Sequence, residues 1–264
     1  MNKLTLTRDI NGKIRLLGAL PRVMSRCGDG FIPELTDDYL ISESAWPKFS
    51  RIAGPIVRRF AVESPDIDQW QQGSCTYSAL MHNVMQRRAA MGMDNVLLAQ
   101  STGYAFDGVT GSGELIPRRY DSGMALDVAI MIGRIVGGAP ASVIDPFDWK
   151  RKNWPDNWRV VAYRNSIDKW RDCSRDMKYI VSTLCNGLPL LHGYAGHSRM
   201  LVEFDSDKNR FGYKGTYGSD WNEDGFGWLS WKQVDEGRRK YGTFCPITVR
   251  DPIGDGDVPV KEVT

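Results

Sequence analysis

The chain has 264 residues, a formal net charge of +2, and 42% hydrophobic and 25% charged residues. This composition is typical of one large globular domain or two small ones. The basic residues are scattered rather than clustered with aromatic residues, so we expect no nucleic-acid partner. No apolar stretch approaches the roughly 18 residues that span a bilayer, so we expect no membrane partner.

Five cysteines stand at irregular spacing, and no C-x-x-C pair occurs: Cys27, Cys75, Cys173, Cys185 and Cys245. This arrangement predicts neither a structural zinc site nor a disulfide framework, and we expect no metal and no cofactor. The N-terminus lacks the apolar run and small-residue cleavage site of a signal peptide. We therefore expect reduced thiols and a location in the cytoplasm, or in a virion assembled there, rather than secretion.

Three regions follow one another along the chain. Residues 1–60 mix Gly and Pro with short apolar patches, which predicts an N-terminal arm with a short helix near 47–53. Residues 61–250 form the main domain, and the polar, Pro- and Gly-rich segment 251–264 is a C-terminal tail. Within the domain, helices are predicted over 74–85, 123–136 and 173–185, and strands over 188–194, 197–205, 210–214 and 225–231. Helices first and strands second predict an α+β protein with two lobes.

Cys75 lies in the first turn of the first predicted domain helix, after the turn Gln72-Gly73-Ser74. The partial positive charge at a helix N-terminus favours a thiolate, which is a nucleophile. The N–H of Cys75 can donate to a developing oxyanion, and Gln69, six residues earlier, is the candidate second donor. The alternative is a buried structural cysteine in a core helix.

Only three histidines are available as a partner for this thiol. His82 lies two turns further along the same helix, so we expect a packed or solvated residue there. His192 and His197 are five residues apart and would face opposite sides of one continuous strand. His197 follows Ala195-Gly196 at the mouth of a strand, which predicts a side chain in a cleft and makes it the candidate general base; the alternative is a loop histidine with a structural hydrogen bond.

The segment from Asp68 to Ala79, with the sequence DQWQQGSCTYSA, resembles the nucleophile motif of papain-like cysteine peptidases. It is most similar to the bacterial and phage branch, D-Q-G-x-x-G-S-C-T-A-N-A. The resemblance implies that Cys75 is the nucleophile and that Gln69 contributes to the oxyanion hole. Trp70 replaces the usual Gly of this branch, and we expect its side chain to crowd the cleft.

Two further segments resemble the same family, so that the resemblance covers about residues 60–235. Gly187-Leu188-Pro189-Leu190 with Gly196-His197-Ser198 is similar to the G-P-V strand and G-H-A motif, and 214–227 is similar to K-N-S-W-G-T-D-W-G-E-N-G-Y-G. Shorter stretches at 121–127 and 146–148 also resemble family segments. The resemblance implies a papain-like two-lobed fold, in which a helical lobe contains the nucleophile helix and a β-barrel-like lobe contains His197.

One position departs from the family pattern at the predicted site. Gly215 stands where the family has the Asn that orients the histidine ring, and Tyr217 stands where a Trp shields that contact. Loss of the third group weakens catalysis without necessarily abolishing it. A water, a backbone carbonyl or a carboxylate such as Asp205 are the candidate substitutes.

These observations support two functions. The first is a papain-like cysteine peptidase, a thiol amide hydrolase that acts on a protein or peptide through a Cys75–His197 dyad and a Gln69 oxyanion hole. The second is a catalytically weak or inactive papain-like structural or binding protein, such as a phage virion component that contacts other virion proteins through its N-terminal arm. A third interpretation makes residues 1–60 an inhibitory propeptide.

Overall fold

The computed structural model describes residues 39–110 and 112–250 in full, and the backbone of 5–8, 14–17 and 19–20. The predicted tail and 28 of the 60 residues of the predicted arm, Cys27 among them, therefore lie outside the described residues. The helices are α1 (Trp46–Glu63), α2 (Cys75–Ala90), α3 (Ser101–Tyr104), α4 (Leu126–Ile135), α5 (Trp158–Tyr163), α6 (Met177–Cys185) and α7 (Trp231–Lys240), with a 3-10 turn at Glu43–Ala45. The strands are β1 (Thr5–Arg8), β2 (Ile14–Leu17), β3 (Ala19–Leu20), β4 (Phe106–Val109), β5 (Leu115–Pro117), β6 (Met124–Ala125), β7 (Ile167–Asp172), β8 (Leu190–Tyr194), β9 (His197–Asp205), β10 (Arg210–Lys214), β11 (Phe226–Ser230) and β12 (Thr243–Val249).

A six-stranded antiparallel sheet forms one lobe, in the order β11-β10-β9-β8-β12-β7. Its core combines inward side chains of the strands with α6 and α7, including Leu190, Leu201, Phe211 and Val234. Antiparallel strands that follow one another closely in sequence pair through short connections, which is why β8, β9 and β10 are neighbours. β11 pairs with β10 across the longer connection 215–225. This lobe places the start of β9 at the edge that faces α2.

The other lobe is helical and has α2 at its centre. Thirteen of the sixteen residues of α2 are buried, so this helix is covered on all sides rather than on one stripe. Leu80, Val84, Ile130 and Phe106 belong to its core, together with rings from α5. Because α2 also packs against β8, β9 and β12, the first turn of α2 lies at the junction of the two lobes.

Helix α1 is longer than the short helix predicted near 47–53, and it continues through Pro55. Ala53, Val57 and Ala61 recur every four residues, which gives the helix an apolar stripe. Val57 and Ala61 pack against Met200 of β9. Packing of this stripe on the sheet extends the helix to residue 63, beyond the predicted end near residue 53. The predicted boundary between the N-terminal arm and the main domain at residue 60 stays a prediction.

The predicted strands at 188–194, 197–205, 210–214 and 225–231 correspond to β8 to β11, and the predicted helices to α2, α4 and α6. Among the elements that were not predicted from the sequence, β7, α7 and β12 belong to or pack on the large sheet. Strand β7 reads IDKWRD, and α7 buries only Val234 and Gly237, so neither shows a strong apolar period. Their places depend on pairing and packing with distant segments.

Candidate active site

The turn before α2 places Cys75 as the first residue of that helix, with its side chain fully buried. The N–H of a first-turn residue has no acceptor inside its helix, so it can serve an external oxygen. Ser74 precedes the helix but makes no side-chain cap. Instead, the N–H of Gly73 donates to Oδ1 of Asp121 at 2.9 Å, which attaches the turn to the loop before β6.

Gly73 is required by close packing at this turn. A Cβ atom at this position would lie 2.8 Å from the Tyr104 hydroxyl and 3.0 Å from the Ser122 carbonyl oxygen. The Tyr104 hydroxyl lies within hydrogen-bond distance of Asp121 and of the Ser122 carbonyl and shares its single hydrogen between them, and Nη1 of Arg118 donates to the same carbonyl at 2.7 Å. This buried network holds the turn that presents Cys75, and the 121–127 segment that resembles the family supplies much of it.

Gln69 is completely buried, and both ends of its amide are engaged. Its Nε2 donates to the Gln72 carbonyl at 2.7 Å, and its Oε1 accepts from the Thr216 hydroxyl. The backbone N–H of Gln69 donates to the Thr216 carbonyl at 2.9 Å. An amide nitrogen has two hydrogens, so the second one is available for a substrate oxygen.

A tight hairpin positions the histidine. Ala195 and Gly196 connect β8 to β9 with φ values of 52° and 77°, the left-handed values of a two-residue hairpin turn. His197 is the first residue of β9, opposite Tyr194, and His192 is opposite Arg199. Directly opposite residues of antiparallel strands share a face, so His192 and His197 lie on the same face. The expectation that they would face opposite sides was wrong, because a hairpin and not one continuous strand separates them.

A direct hydrogen bond between the two lobes brings the segments of Cys75 and His197 together. The hydroxyls of Thr76 and Ser198 are 2.9 Å apart, and Thr76 also donates to the Met124 carbonyl at 2.9 Å. Thr76 follows Cys75 and Ser198 follows His197 in the chain. The two candidate residues are therefore neighbours of one buried contact between α2 and β9.

Thr216 is the residue that sequence reasoning missed. Its Oγ1 lies 3.5 Å from Nε2 of His197, while its single hydrogen is donated to Gln69. A hydroxyl has only one hydrogen, so toward His197 the Thr216 oxygen can only accept. This arrangement favours a hydrogen on Nε2 and leaves Nδ1 as the basic nitrogen, although a contact of 3.5 Å is long for a hydrogen bond.

Aromatic rings cover the histidine on one side. Tyr217 stacks on His197 with ring centroids 4.6 Å apart and planes 15° apart, and Trp221 packs edge-on against Tyr217. The Tyr217 hydroxyl lies 3.3 Å from Nδ1 of His197 and approaches it from the ring face. A Cβ on Gly215 would lie 3.3 Å from the Trp221 ring. The space next to Gly215 is thus occupied by Trp221.

Asp205, a candidate to orient the His197 ring, lies far from it. It lies at the opposite end of β9 from His197, eight residues or roughly 26 Å along an extended strand. There it forms an ion pair with Arg210 at 3.0 Å. The contact to Nε2 comes from Thr216 instead.

Burial dominates the electrostatics of the site. It holds the pKa of His197 well below its usual range, and the neighbouring charge of Arg199 lowers the pKa further. The imidazole is therefore uncharged at neutral pH, which is the form that accepts a proton. His197 is only 3% exposed, and Cys75 and Gln69 are fully buried, so the three candidate groups are closed off from bulk solvent in this conformation.

His82 and Trp70 show what the local sequence left open. His82 is a packed helix residue, whose Nε2 accepts from the N–H of Ile67 at 2.9 Å, and burial lowers its pKa. Trp70 adopts a φ of 51°, a left-handed value, and its side chain is 61% exposed. The ring therefore projects largely into solvent one residue after Gln69.

Among the described residues, neither a metal-binding cluster nor a membrane-spanning helix is present. Within 39–110 and 112–250, no group of three or more His, Cys, Asp or Glu side chains is arranged to hold a metal ion. None of the described helices is both long and apolar enough to cross a bilayer.

No protein-family model matches the chain, and no curated protein is similar to it in sequence. Solved structures are similar to it in fold. Xylellain, a cysteine protease from Xylella fastidiosa, superposes with a TM-score of 0.58 at 16% identity, over 87% of this chain and 98% of that one. The cysteine protease and lectin-like domains of Cwp84 from Clostridium difficile give 0.57 at 14% identity, over 74% and 51%.

The proform of the ragweed pollen cysteine protease Amb a 11 gives a TM-score of 0.55 at 16% identity, over 72% of this chain and 65% of that one. Identities this low establish the fold and leave the activity open. Together with the helical lobe, the antiparallel sheet and the placement of α2 between them, these similarities show that the chain has the two-lobed α+β fold of papain-like cysteine proteases.

Proposed function

We propose that the protein is a cysteine-type peptidase or related thiol amide hydrolase, with Cys75 as nucleophile, His197 as general base and Gln69 in the oxyanion hole. The observation that carries the proposal is the contact chain from Gln69 through Thr216 to Nε2 of His197. If Cys75 and His197 were only structural residues, nothing would require the Thr216 hydroxyl to lie between the buried Gln69 amide and the His197 ring. Cys75 and His197 are the chain neighbours of Thr76 and Ser198, whose hydroxyls form the buried contact between the two lobes.

Acylation would begin when sulfur attacks the substrate carbonyl carbon. The C–S bond forms, and the oxyanion accepts hydrogen bonds from the Cys75 N–H and from Nε2 of Gln69. The C–N bond then breaks, and His197 delivers the thiol proton to the leaving amine. In deacylation, His197 takes a proton from a water whose oxygen attacks the thioester carbonyl carbon. The C–S bond then breaks, the carboxylic acid leaves, and His197 returns the proton to sulfur, which restores the thiol.

The lack of the orienting Asn lowers the expected efficiency. The Thr216 hydroxyl lies 3.5 Å from Nε2 of His197, which is a long contact, and the same hydroxyl also donates to Gln69. Tyr217 keeps the shielding role by stacking on the imidazole. We therefore expect a slow enzyme rather than an inert one, because tautomer and orientation are weakly held but not lost.

Residues 1–60 are proposed to include a segment that covers the site. Strand β3 pairs in parallel with β6, through Ala19 opposite Met124 and Leu20 opposite Ala125. The Met124 carbonyl accepts from Thr76, the neighbour of Cys75. An N-terminal strand at this place, together with the full burial of Cys75, favours an inhibitory pro-segment over a simple extension.

The test is hydrolysis of denatured casein and of a set of fluorogenic peptides by the whole chain and by a form lacking residues 1–23. C75A and H197A should reduce hydrolysis to background, and C185A should not, because Cys185 lies in the sheet lobe with Trp46 as a neighbour. Burial raises the pKa of the Cys185 thiol to about 11, so it is a poor competitor nucleophile. Hydrolysis by neither form above the level of C75A would favour the second function, a binding or structural protein with this fold. The expected placement in a virion stays a prediction.

A further inference from the structure

His82 connects helix α2 to the segment that contains Gln69. The residue is 1% exposed, and its Nε2 accepts from the N–H of Ile67 at 2.9 Å. It lies seven residues after Cys75, two turns further along the same face of α2 and about 10 Å from it. The helix that begins with Cys75 is therefore bonded, through His82, to the backbone two residues before Gln69.

Ile67 and Gln69 are also paired with the segment that follows β10. The N–H of Gly218 donates to the Ile67 carbonyl at 3.2 Å. The N–H of Gln69 donates to the Thr216 carbonyl at 2.9 Å. The Thr216 hydroxyl donates to the Gln69 side chain and lies 3.5 Å from Nε2 of His197. Ile67 and Gln69 therefore form one hydrogen-bonded unit with Thr216, and a shift of Ile67 would disturb the contacts of Gln69.

The acceptor role of His82 requires an uncharged ring. A protonated imidazole has a hydrogen on both nitrogens and cannot accept from Ile67. Burial holds the pKa of His82 well below its usual range, the charge of Lys214 lowers the pKa further, and the backbone of Gly215 acts in the opposite direction. Lys214 is 2% exposed and forms an ion pair with Asp66 at 2.6 Å, so its charge is held in place. At neutral pH the ring therefore remains an acceptor at Nε2, with its hydrogen on Nδ1.

We propose that His82 is a positioning residue of the candidate site: through Ile67 it fixes the distance between Cys75 and Gln69, the two residues proposed to supply the oxyanion donors. The inference rests on the proposed function and deepens it. Two donors stabilise one oxyanion only when both are held at hydrogen-bond distance from the same oxygen. The N–H of Cys75 belongs to α2, whereas Gln69 lies outside that helix, across the turn 70–74. The bond from His82 to Ile67 connects the Gln69 segment directly to α2.

The experiment measures amide hydrogen exchange in the isotopically labelled whole chain by NMR spectroscopy, for His82→Leu and His82→Gln. Leucine removes the acceptor, whereas the side-chain oxygen of glutamine can accept from Ile67 in place of Nε2. In His82→Leu the Gln69 amide should exchange about tenfold faster, because its bond to Thr216 is loosened as well. His82→Gln should restore slow exchange. Faster exchange at the Ile67 amide alone would overturn the inference, because the disturbance would then stop short of Gln69.

Hydrolysis gives a second measurement. In the assay described above, kcat of His82→Leu should fall about 10²-fold while KM stays unchanged, because the oxyanion forms only in the transition state and a misplaced donor no longer reaches it. His82→Gln should recover most of this loss. A rise in KM with kcat unchanged would contradict a role at the oxyanion.

Asn83 provides the matched control. It is the next residue of α2, it is also fully buried, and its Nδ2 donates to the Ala79 carbonyl at 2.9 Å. Asn83→Leu should leave the Gln69 exchange and kcat unchanged, and thermal unfolding of each variant shows whether it is folded. Equal effects in Asn83→Leu and His82→Leu would overturn the inference. Absence of hydrolysis in every form would refute the proposed function instead, and the exchange of the Gln69 amide would still decide the role of His82.

Discussion

At the scale of single residues, the site depends on side chains whose roles arise from their contacts. Thr216 is an unremarkable residue in the sequence, yet its hydroxyl lies between Gln69 and His197. Gly215 has no side chain that could orient His197. The neighbouring Trp221 ring occupies the space next to it. Restoring an Asn at position 215 would therefore require the indole of Trp221 to move.

Thr216→Val tests the contact chain at the site. Valine keeps the shape of threonine but removes the hydroxyl, so Gln69 loses its hydrogen-bond donor and His197 loses the acceptor for Nε2. We expect kcat/KM to fall about 10²-fold, the effect of removing one oxyanion-hole group. Thr216→Ser should recover most of the activity because it keeps the hydroxyl. Equal activity in the valine and serine variants would show that the hydroxyl has no part in the reaction.

Trp70→Gly tests backbone strain next to Gln69. A left-handed φ costs a residue with a Cβ roughly 1 kcal/mol, and the exposed indole contributes little burial. We expect Trp70→Gly to raise the free energy of unfolding by about 1 kcal/mol relative to Trp70→Ala, because both remove the ring and only glycine relieves the strain. Urea denaturation of the two variants measures the difference. Equal stabilities would mean that the strain at φ 51° is compensated elsewhere.

At the scale of elements, three segments determine the site: the first turn of α2, the β8–β9 hairpin and the 214–218 segment after β10. The N–H of Gly218 donates to the Ile67 carbonyl at 3.2 Å, and the N–H of Gln69 donates to the Thr216 carbonyl at 2.9 Å. These backbone contacts attach the segment that contains Ile67 and Gln69 to the segment that follows β10. The site therefore forms only when both lobes are folded and in contact.

Removal of β3 tests the covering segment. A form that lacks residues 1–13 keeps β3, and a form that lacks residues 1–23 loses it together with its pairing to β6. If β3 covers the site, iodoacetamide should modify Cys75 at least tenfold faster in the shorter form only, as measured by mass spectrometry of the peptide that contains Cys75. Similar rates in both forms would place the barrier in the lobes themselves and remove the N-terminal segment from the explanation.

At the scale of the whole molecule, the folded state buries all three histidines. His82, His192 and His197 are 1%, 0% and 3% exposed, and burial lowers the pKa of each. The three histidines lie on α2, β8 and β9, so it is the fold as a whole that buries them and lowers their pKa values. It makes the free energy of unfolding depend on pH.

Acid should destabilise the protein below about pH 6.5. In the unfolded chain a histidine takes up a proton near its model value of 6.5, while folded His192 resists protonation until about pH 3. Between these values the unfolded state binds more protons, so stability falls as the pH falls. At pH 5, 1.5 units below the unfolded value, His192 alone should account for a loss of about 2 kcal/mol.

Urea denaturation of the whole chain and of His192→Asn from pH 4 to 7 measures this loss. The asparagine variant should show a pH slope that is smaller by one proton, about 1.4 kcal/mol per pH unit between pH 4 and 6. Parallel curves for the two proteins would contradict the assignment of this proton to His192. The two curves of unfolding free energy against pH are subtracted from each other, because the carboxylates contribute the same pH dependence to both proteins.

The local sequence by itself determined the elements with strong periodicity, and it supplied Cys75 and His197 as the candidate reactive side chains. A cysteine at the start of a helix, a histidine after a small-residue turn and the alternation of β8 to β10 are short-range signals. These predicted an α+β protein with two lobes, and the fold is confirmed. The roles of Cys75, His197 and Gln69 stay predictions.

Only the tertiary structure decided which groups meet. The Thr216 contacts to Gln69 and His197 join residues 147 and 19 positions apart in the chain, and the pairing of β3 with β6 joins segments about a hundred residues apart. The placement of His192 on the same face as His197, and the burial of Arg199 beside them, depend on a hairpin and a sheet register. Such contacts depend on the packing of many distant side chains at once, whereas a helix start or a strand alternation is determined by neighbours within a few residues.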